Sequence, residues 1–472
     1  FRSLVSAPLV RSAFPLQEQL YQRIRTAIAK RQLVPGEKLP SVRTLASELG
    51  VARGTVDTTY ARLAGEGYLL SQGPAGTIVS PHLQIGAPPA RAVRGKLQQV
   101  PAEESGGEPR PFQLGLPALD AFPRALWSRL TARAAKRLSG GALAYPAYAG
   151  LPGLRAAIAS YLAVSRGVPC HATQVIVTGG YQDALSLMAR LLLRPGDGVW
   201  FEEPGYFLAR RALEAASAQV LPIPVDDQGL DIEFAQGNAP RARLAVVTPA
   251  HQSVLGVALS LARRQRLLAW ANETNAWIVE DDYDGEFHYV GRKLPALKSL
   301  DRSGRVIYVG SLSKTLAPGL RMGFLVAPKP LIAELRALRR LMIRHPAANN
   351  QRTVALFLAD GHHDTLLRRL CNVYRERLAA AVTAIARHLP EFTVNLTAGG
   401  TALWIRGPKD CDMAAIATAA EKRGVVIEPG AVHFLSQPGP ANFCRLGVSS
   451  IPTERIEPGI RLLAEAVREV SR

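Results

Sequence analysis

Gly310-Ser-Leu-Ser-Lys-Thr-Leu-Ala-Pro-Gly-Leu-Arg-Met-Gly323 sets one lysine, Lys314, among hydroxyls, with an arginine seven residues further on. The β-forming run Arg305-Val-Ile-Tyr-Val309 delivers the chain into it. Pro318 and Gly319 stop a helix from absorbing it, so the pattern predicts a strand followed by an exposed loop. Ser311, Ser313 and Arg321 together can hold a phosphate dianion, through hydroxyl donors and a charge-assisted guanidinium bond. The amine of Lys314 is then left to attack a carbonyl. Taken alone, a loop lysine is more often a solvated surface residue, so this reading depends on partners elsewhere in the chain.

Those partners stand at the ends of apolar runs. From Phe112 onward, β-like runs alternate with longer helical patterns, which predicts a mostly parallel sheet covered by helices. Val175-Ile-Val177 turns through Thr178-Gly-Gly-Tyr-Gln-Asp-Ala184 into a helix. The free amides of Gly180, Tyr181 and Gln182 at that helix start suit a phosphate. Val199-Trp-Phe-Glu-Glu-Pro-Gly-Tyr206 ends in an aromatic ring that can stack on a flat ligand or serve packing. Leu244-Ala-Val-Val-Thr-Pro-Ala-His-Gln252 ends in His251 and Gln252, and Trp277-Ile-Val-Glu-Asp-Asp-Tyr-Asp284 ends in carboxylates. Massed carboxylates repel one another unless a cation or a protonated ring sits among them. A magnesium site at Glu280, Asp281, Asp282 and Asp284 is the competing reading. The whole set in chain order favours a pyridinium, and with the phosphate donors it suggests pyridoxal phosphate.

The first 80 residues follow another pattern. Leu16, Leu20, Ile24, Ala27 and Ile28 recur at helical spacing, predicting a helix from about Pro15 to Lys30. Ser41 caps a second helix carrying Val42, Leu45, Ala46 and Leu49, and Gly50 turns the chain into a third, Arg53 to Leu63. This is helix-turn-helix spacing. Val56, Tyr60 and Leu63 share a buried face of the third helix, leaving Arg53, Thr55, Asp57, Thr58 and Arg62 outward as candidates for a DNA groove. Two short β runs around Gly73-Pro-Ala-Gly76 predict a hairpin wing. Residues 81–111 lack an apolar period and read as a flexible linker.

With 472 residues the chain is long enough for two or three domains. Its 57 Lys+Arg exceed 38 Asp+Glu, giving a formal charge of +19 that suits a polyanionic partner and equally aids solubility. Cys170, Cys371, Cys411 and Cys444 form no Cys-x-x-Cys pair, so neither a disulfide framework nor a zinc site is expected and a reducing cytoplasm fits. No apolar run approaches the roughly 20 residues of a membrane helix.

Two stretches carry a resemblance. Pro35-Gly-Glu-Lys-Leu-Pro-Ser-Val-Arg-Thr-Leu-Ala46, Leu49-Gly-Val-Ala-Arg-Gly-Thr-Val56 and residues 63–68 resemble the winged helix-turn-helix of GntR-type transcription regulators. That resemblance implies promoter DNA as partner, with Arg43, Arg53 and Thr55 at phosphates or base edges and Gly76 at the wing tip in the minor groove. Ala52 stands where that family often has serine. Residues 112–472 resemble class I and II aminotransferases, the fold-type-I pyridoxal phosphate enzymes, with a smaller C-terminal α+β subdomain.

The aminotransferase resemblance implies that Lys314 forms the Schiff base with the cofactor and Asp281 pairs with its pyridine nitrogen. Tyr283 would bind the ring hydroxyl and Tyr206 would stack on the ring. Gly180, Tyr181, Gln182, Ser311, Ser313 and Arg321 would share the phosphate, and Tyr145 would reach the phosphate of a partner subunit in a head-to-tail homodimer. Arg445, in Phe443-Cys-Arg-Leu-Gly447, would clamp an effector carboxylate. Ser253-Val-Leu-Gly256 replaces the family's usual Pro-x-Gly, leaving open whether His251 or Gln252 reaches the ring.

The joint arrangement, with a DNA-binding domain over 13–80, a linker over 81–111 and an aminotransferase-like domain over 112–472, resembles the MocR/GabR-like regulators. It implies a cytoplasmic regulator that senses an amino compound or pyridoxal phosphate. An active aminotransferase carrying a DNA-binding module is the alternative, and a large domain that serves only as a dimerisation scaffold is a third reading.

Overall fold

The computed structural model describes residues 15–83, 107–138, 140–291, 294–436 and 438–471. Two compact units emerge, 1–98 and 99–472. The expected linker falls largely on 84–106, outside the described residues, as do positions 13 and 14 of the expected first domain.

In the smaller unit, helix Leu16–Ala29 buries Leu20, Ile24, Ala27 and Ile28 of the positions picked out by the helical period, with Leu16 half-buried at its start. Ser41 Oγ accepts the Thr44 amide at 3.1 Å and so caps helix Val42–Leu49. Gly50 closes that helix at φ 64°, a left-handed turn that costs a glycine little. Helix Arg53–Gly65 follows and buries Val56, Thr59, Tyr60 and Leu63 against the other two. Strands β1 (Leu69–Ser71) and β2 (Thr77–Val79) form the wing.

The larger unit is built on an eight-stranded sheet. Its strands are β3 (Val175–Thr178), β4 (Gly198–Glu203), β5 (Gln219–Asp226), β6 (Gly229–Leu230), β7 (Ala242–Val247), β8 (Trp277–Asp282), β9 (Val306–Ser311) and β10 (Gly323–Val326). Their order is β3-β10-β9-β8-β7-β4-β5-β6. The run from β9 to β5 is parallel, as expected. β10 is antiparallel to both β3 and β9, and β6 to β5, so the sheet is mixed at its margins. Strands of a parallel sheet are buried on both faces and read as continuous apolar runs; Ile278 and Val279 of β8, like Val306, Ile307 and Val309 of β9, are fully buried.

A second sheet, antiparallel and ordered β11-β12-β14-β13, comprises β11 (Thr393–Asn395), β12 (Ala402–Arg406), β13 (Glu428–Pro429) and β14 (Phe443–Gly447). It packs with helices His362–His388, Met413–Glu421 and Ile456–Val470 around its own core. This is the smaller α+β part that the resemblance implied. Among the described residues, no helix is long and apolar enough to cross a membrane.

Candidate functional site

Successive side chains along β8 point to opposite faces, and this alternation sorts its carboxylates. Glu280 accepts the amides of Leu297 and Lys298 at 2.6 and 2.7 Å. Asp282 receives Arg166 Nε at 2.6 Å and the Tyr308 hydroxyl at 2.7 Å. Asp281 faces the other way, toward the Tyr181 hydroxyl. The four carboxylates therefore do not converge as a magnesium site would require. Among the described residues, no three His, Cys, Asp or Glu groups are placed to hold a metal. Burial, with Asp282, Glu202 and Asp284 nearby, lifts the Asp281 carboxyl well above the usual carboxylate range. Such a group is stabilised as an anion only by a positive partner.

Beside it, β3 ends in a turn at which Gly180, φ 116°, precedes helix Tyr181–Leu192. The Arg321 guanidinium lies 3.5 Å from where a Cβ on Gly180 would stand, and a Cβ on Gly323 would come within 2.8 Å of Gly180 Cα. Both glycines thus let the turn approach β10 and Arg321. Ser311 Oγ accepts the Ser313 amide at 3.2 Å. The Gly180–Gln182 helix start, Ser311, Ser313 and Arg321 therefore belong to one corner at the ends of β3, β9 and β10.

The segment after β9 is not the exposed loop that its proline and glycine predicted. Leu312, Leu316 and Met322 are buried in the core that contains Tyr308 and Phe324 and draw the loop inward, leaving Lys314 half-buried. Burial pushes the Lys314 ammonium down to about 8, with Arg445 acting in the same direction and Asp284 and Glu428 against it.

Tyr206 follows the cis Glu203–Pro204 bond, with its ring 6.4 Å from that of Tyr181. Burial and Asp281 raise its hydroxyl to about 12. Gln252, left open as a ring contact, is fully engaged elsewhere. Its Nε2 donates to Pro204 O at 2.7 Å and to Glu202 at 3.3 Å, and its Oε1 accepts the Val254 and Leu255 amides. The amide side chain thus holds the Ser253–Gly256 turn in the absence of proline. His251 instead meets the tyrosine, its Nδ1 3.1 Å from the Tyr283 hydroxyl.

Arg445 pairs across the small sheet with Glu428 on β13 and Trp404 on β12, and lines a narrow cavity with His251, Tyr283 and Asp284. The sequence reading missed Glu428, although an acidic residue ending Val425-Val-Ile427 is a strand-end signal of the kind used for Asp281. Tyr145 stands apart, exposed, with the Arg344 guanidinium 4.4 Å above its ring.

In the smaller unit Arg43 and Arg53 are exposed, Thr55 is half-buried at the start of the third helix, and Gly76 at the wing tip has φ 104°. Arg62 does not belong with them. Its Nη1 reaches Glu18 at 2.7 Å, its Nε reaches Glu66 at 3.1 Å, and its guanidinium lies 3.8 Å from the centre of the Tyr21 ring. The side chain that helical geometry pointed outward folds back along the surface to brace the first helix.

Residues 123–463 match the model of the family "Aminotransferase class I and II", and residues 16–79 match "Bacterial regulatory proteins, gntR family". The chain is 37% identical over 464 residues to the "Probable rhizopine catabolism regulatory protein MocR" of Rhizobium meliloti, covering 96% of this chain and 94% of that protein. It is 36% identical over 479 residues to the HTH-type transcriptional regulator TauR of Rhodobacter capsulatus, covering 96% of each. The solved structure of LysN, the alpha-aminoadipate aminotransferase of Thermus thermophilus complexed with N-(5'-phosphopyridoxyl)-L-leucine, superposes with a TM-score of 0.70 at 30% identity, covering 76% of this chain and 92% of that one. The chain belongs to the GntR family of transcription regulators, in the MocR-like group that joins a winged helix-turn-helix to a class I and II aminotransferase domain.

Proposed function

We propose that this regulator binds pyridoxal phosphate in its large unit and uses it to sense an amino compound, changing how the helix-turn-helix engages promoter DNA. The residues fit that cofactor on three grounds. The carboxyl of Asp281 is buried beside other carboxylates, and the pyridine ring would bring a cation to it. The glycine turn at Gly180 leaves a cradle beside Arg321. Lys314 carries a lowered amine, suited to meet an aldehyde. The bound cofactor would supply an aldehyde that exchanges lysine for a ligand amine.

The protein's own groups have separate tasks in this reading. Asp281 keeps the ring nitrogen protonated, Tyr283 with His251 orients the ring hydroxyl, and Tyr206 stacks on the ring. The Gly180, Tyr181 and Gln182 amides, Ser311, Ser313 and Arg321 hold the phosphate, joined by Tyr145 from the second subunit of a homodimer. Arg445 draws in the ligand's anionic group. Arg43, Arg53, Thr55 and Gly76 meet the DNA. A reducing cytoplasm suits the four free cysteines.

The observation that carries the reading is the joining of a complete lysine and aspartate site to an intact winged helix. The completeness of that site also favours residual transamination as a second reading. Titrating the holoprotein with amines and amino acids, while following cofactor absorbance and binding to its own upstream DNA, tests both. Coupled changes support the sensor; steady turnover comparable with dedicated aminotransferases, without an effect on DNA, supports the enzyme.

A further inference from the structure

Asp284 is the polar group that these roles leave unused. Its side chain is 1% exposed, and neither carboxylate oxygen accepts a hydrogen bond. His251 Nδ1 lies 3.4 Å from one oxygen, out of hydrogen-bonding geometry, and the same nitrogen is 3.1 Å from the Tyr283 hydroxyl. The other ring nitrogen, Nε2, faces Thr397 Oγ1 at 3.5 Å. A buried carboxylate without partners is costly to maintain, which points to a partner that arrives with a ligand.

The carboxylate lines the cavity that also holds Arg445, and there the charge is unbalanced. Arg445 Nη1 already stands 3.7 Å from Glu428 Oε1, so its positive charge is offset within the protein. Glu428 is held in turn by His433 Nε2 at 2.8 Å. Arg445 Nε remains without a hydrogen-bond partner, leaving room for an anionic ligand group. Asp284 adds a second negative charge, which acts on the Lys314 ammonium without a hydrogen bond to it.

From these contacts we propose that Asp284 is a specificity residue of the effector site. It accepts a hydrogen-bond donor, a hydroxyl or a second ammonium, that the ligand carries in addition to its reacting amine. This deepens the proposed sensing role and rests on it. The effector class is an amino compound with a polar, donor-bearing tail rather than an aliphatic one. A site built around a buried acceptor discriminates against analogues that leave it unpaired.

Three amino acids of equal heavy-atom count test this on the full-length holoprotein: 2,4-diaminobutyrate, homoserine and norvaline. With the shift in bound-cofactor absorbance as readout, at least one donor-tipped compound should bind wild type about tenfold or more tighter than norvaline. Asp284→Leu should abolish that preference. Asp284→Asn, which retains an acceptor but loses the charge, should keep any preference for homoserine while losing that for diaminobutyrate. Both variants should melt at a higher temperature than wild type without ligand, because each removes a buried charge that makes no hydrogen bond. Equal affinities for the three compounds, no response to any of them, or an undiminished preference in Asp284→Leu overturns the assignment. The regulator reading falls separately, if the wild-type protein takes up no cofactor or binds no upstream DNA.

Discussion

Glu428 stands directly across the small sheet from Arg445, with its Oε1 3.7 Å from Arg445 Nη1 and 2.8 Å from His433 Nε2. Burial works against its charge, yet the hydrogen bond from His433 and the nearby Arg445 hold it below the usual carboxylate value. Glu428 therefore competes with any anion for Arg445. Glu428→Gln should tighten binding of carboxylate ligands by roughly threefold to tenfold, read by calorimetric titration. Weakened binding would show that Glu428 orients Arg445 rather than competing with the ligand for it.

Lys314 is held at about 8 in place of 10.5. The neutral amine is the nucleophile, so cofactor capture by stripped protein should accelerate as pH rises to about 8 and then level off. Between about 8 and 10.5 the unfolded chain binds more protons than the folded one, so stability of the stripped protein should rise with pH over that window. Stopped-flow absorbance measures the first effect and thermal melts the second. A midpoint near the ordinary lysine value would mean that the site is wetter than described.

Arg53 and Arg62 lie on one helix, and the proposed function gives them different tasks. Arg53→Ala should weaken DNA binding roughly tenfold, in gel shift or fluorescence anisotropy, and leave the melting temperature unchanged. Arg62→Ala should do the reverse, lowering the melting temperature of the small unit by freeing Glu18, Glu66 and Tyr21. If Arg62→Ala weakened DNA binding as strongly as Arg53→Ala without a change in melting, the bracing role would be wrong.

Gln252 bridges Pro204, Glu202 and the Ser253–Gly256 turn. Gln252→Ala should cost about 2–4 kcal/mol in urea unfolding, because it leaves buried partners unsatisfied. Burial already lifts the Glu202 carboxyl to about 7, against bonds from Thr248 and Gln252. Losing one donor should raise it further.

Local features were legible in the sequence. Ser41 as a cap, Gly50 as a left-handed stop and the strand that runs into the carboxylates at Asp281 and Asp282 each follow from short-range rules, and all hold. Long-range pairing was not legible. Nothing in Gly323–Val326 announces that it lies antiparallel between β3 and β9, since register depends on partners about 150 residues apart in one case. The exposure of the lysine loop was misjudged because proline and glycine report backbone shape, whereas Leu312 and Leu316 decide burial. Arg62 is exposed, as its helical position predicted, but the direction of Cβ does not show that its long side chain also folds back onto a ring.

The central claim is that the lysine site exists to be read by DNA binding. It is tested most directly by measuring the affinity of full-length holoprotein for its upstream DNA with and without an amino compound that shifts cofactor absorbance. The same titration is then made on Lys314→Ala. The account predicts a ligand-dependent change in DNA affinity for wild type and none for Lys314→Ala. A wild-type affinity that ignores the ligand, or a Lys314→Ala protein that still responds to it, would contradict the account.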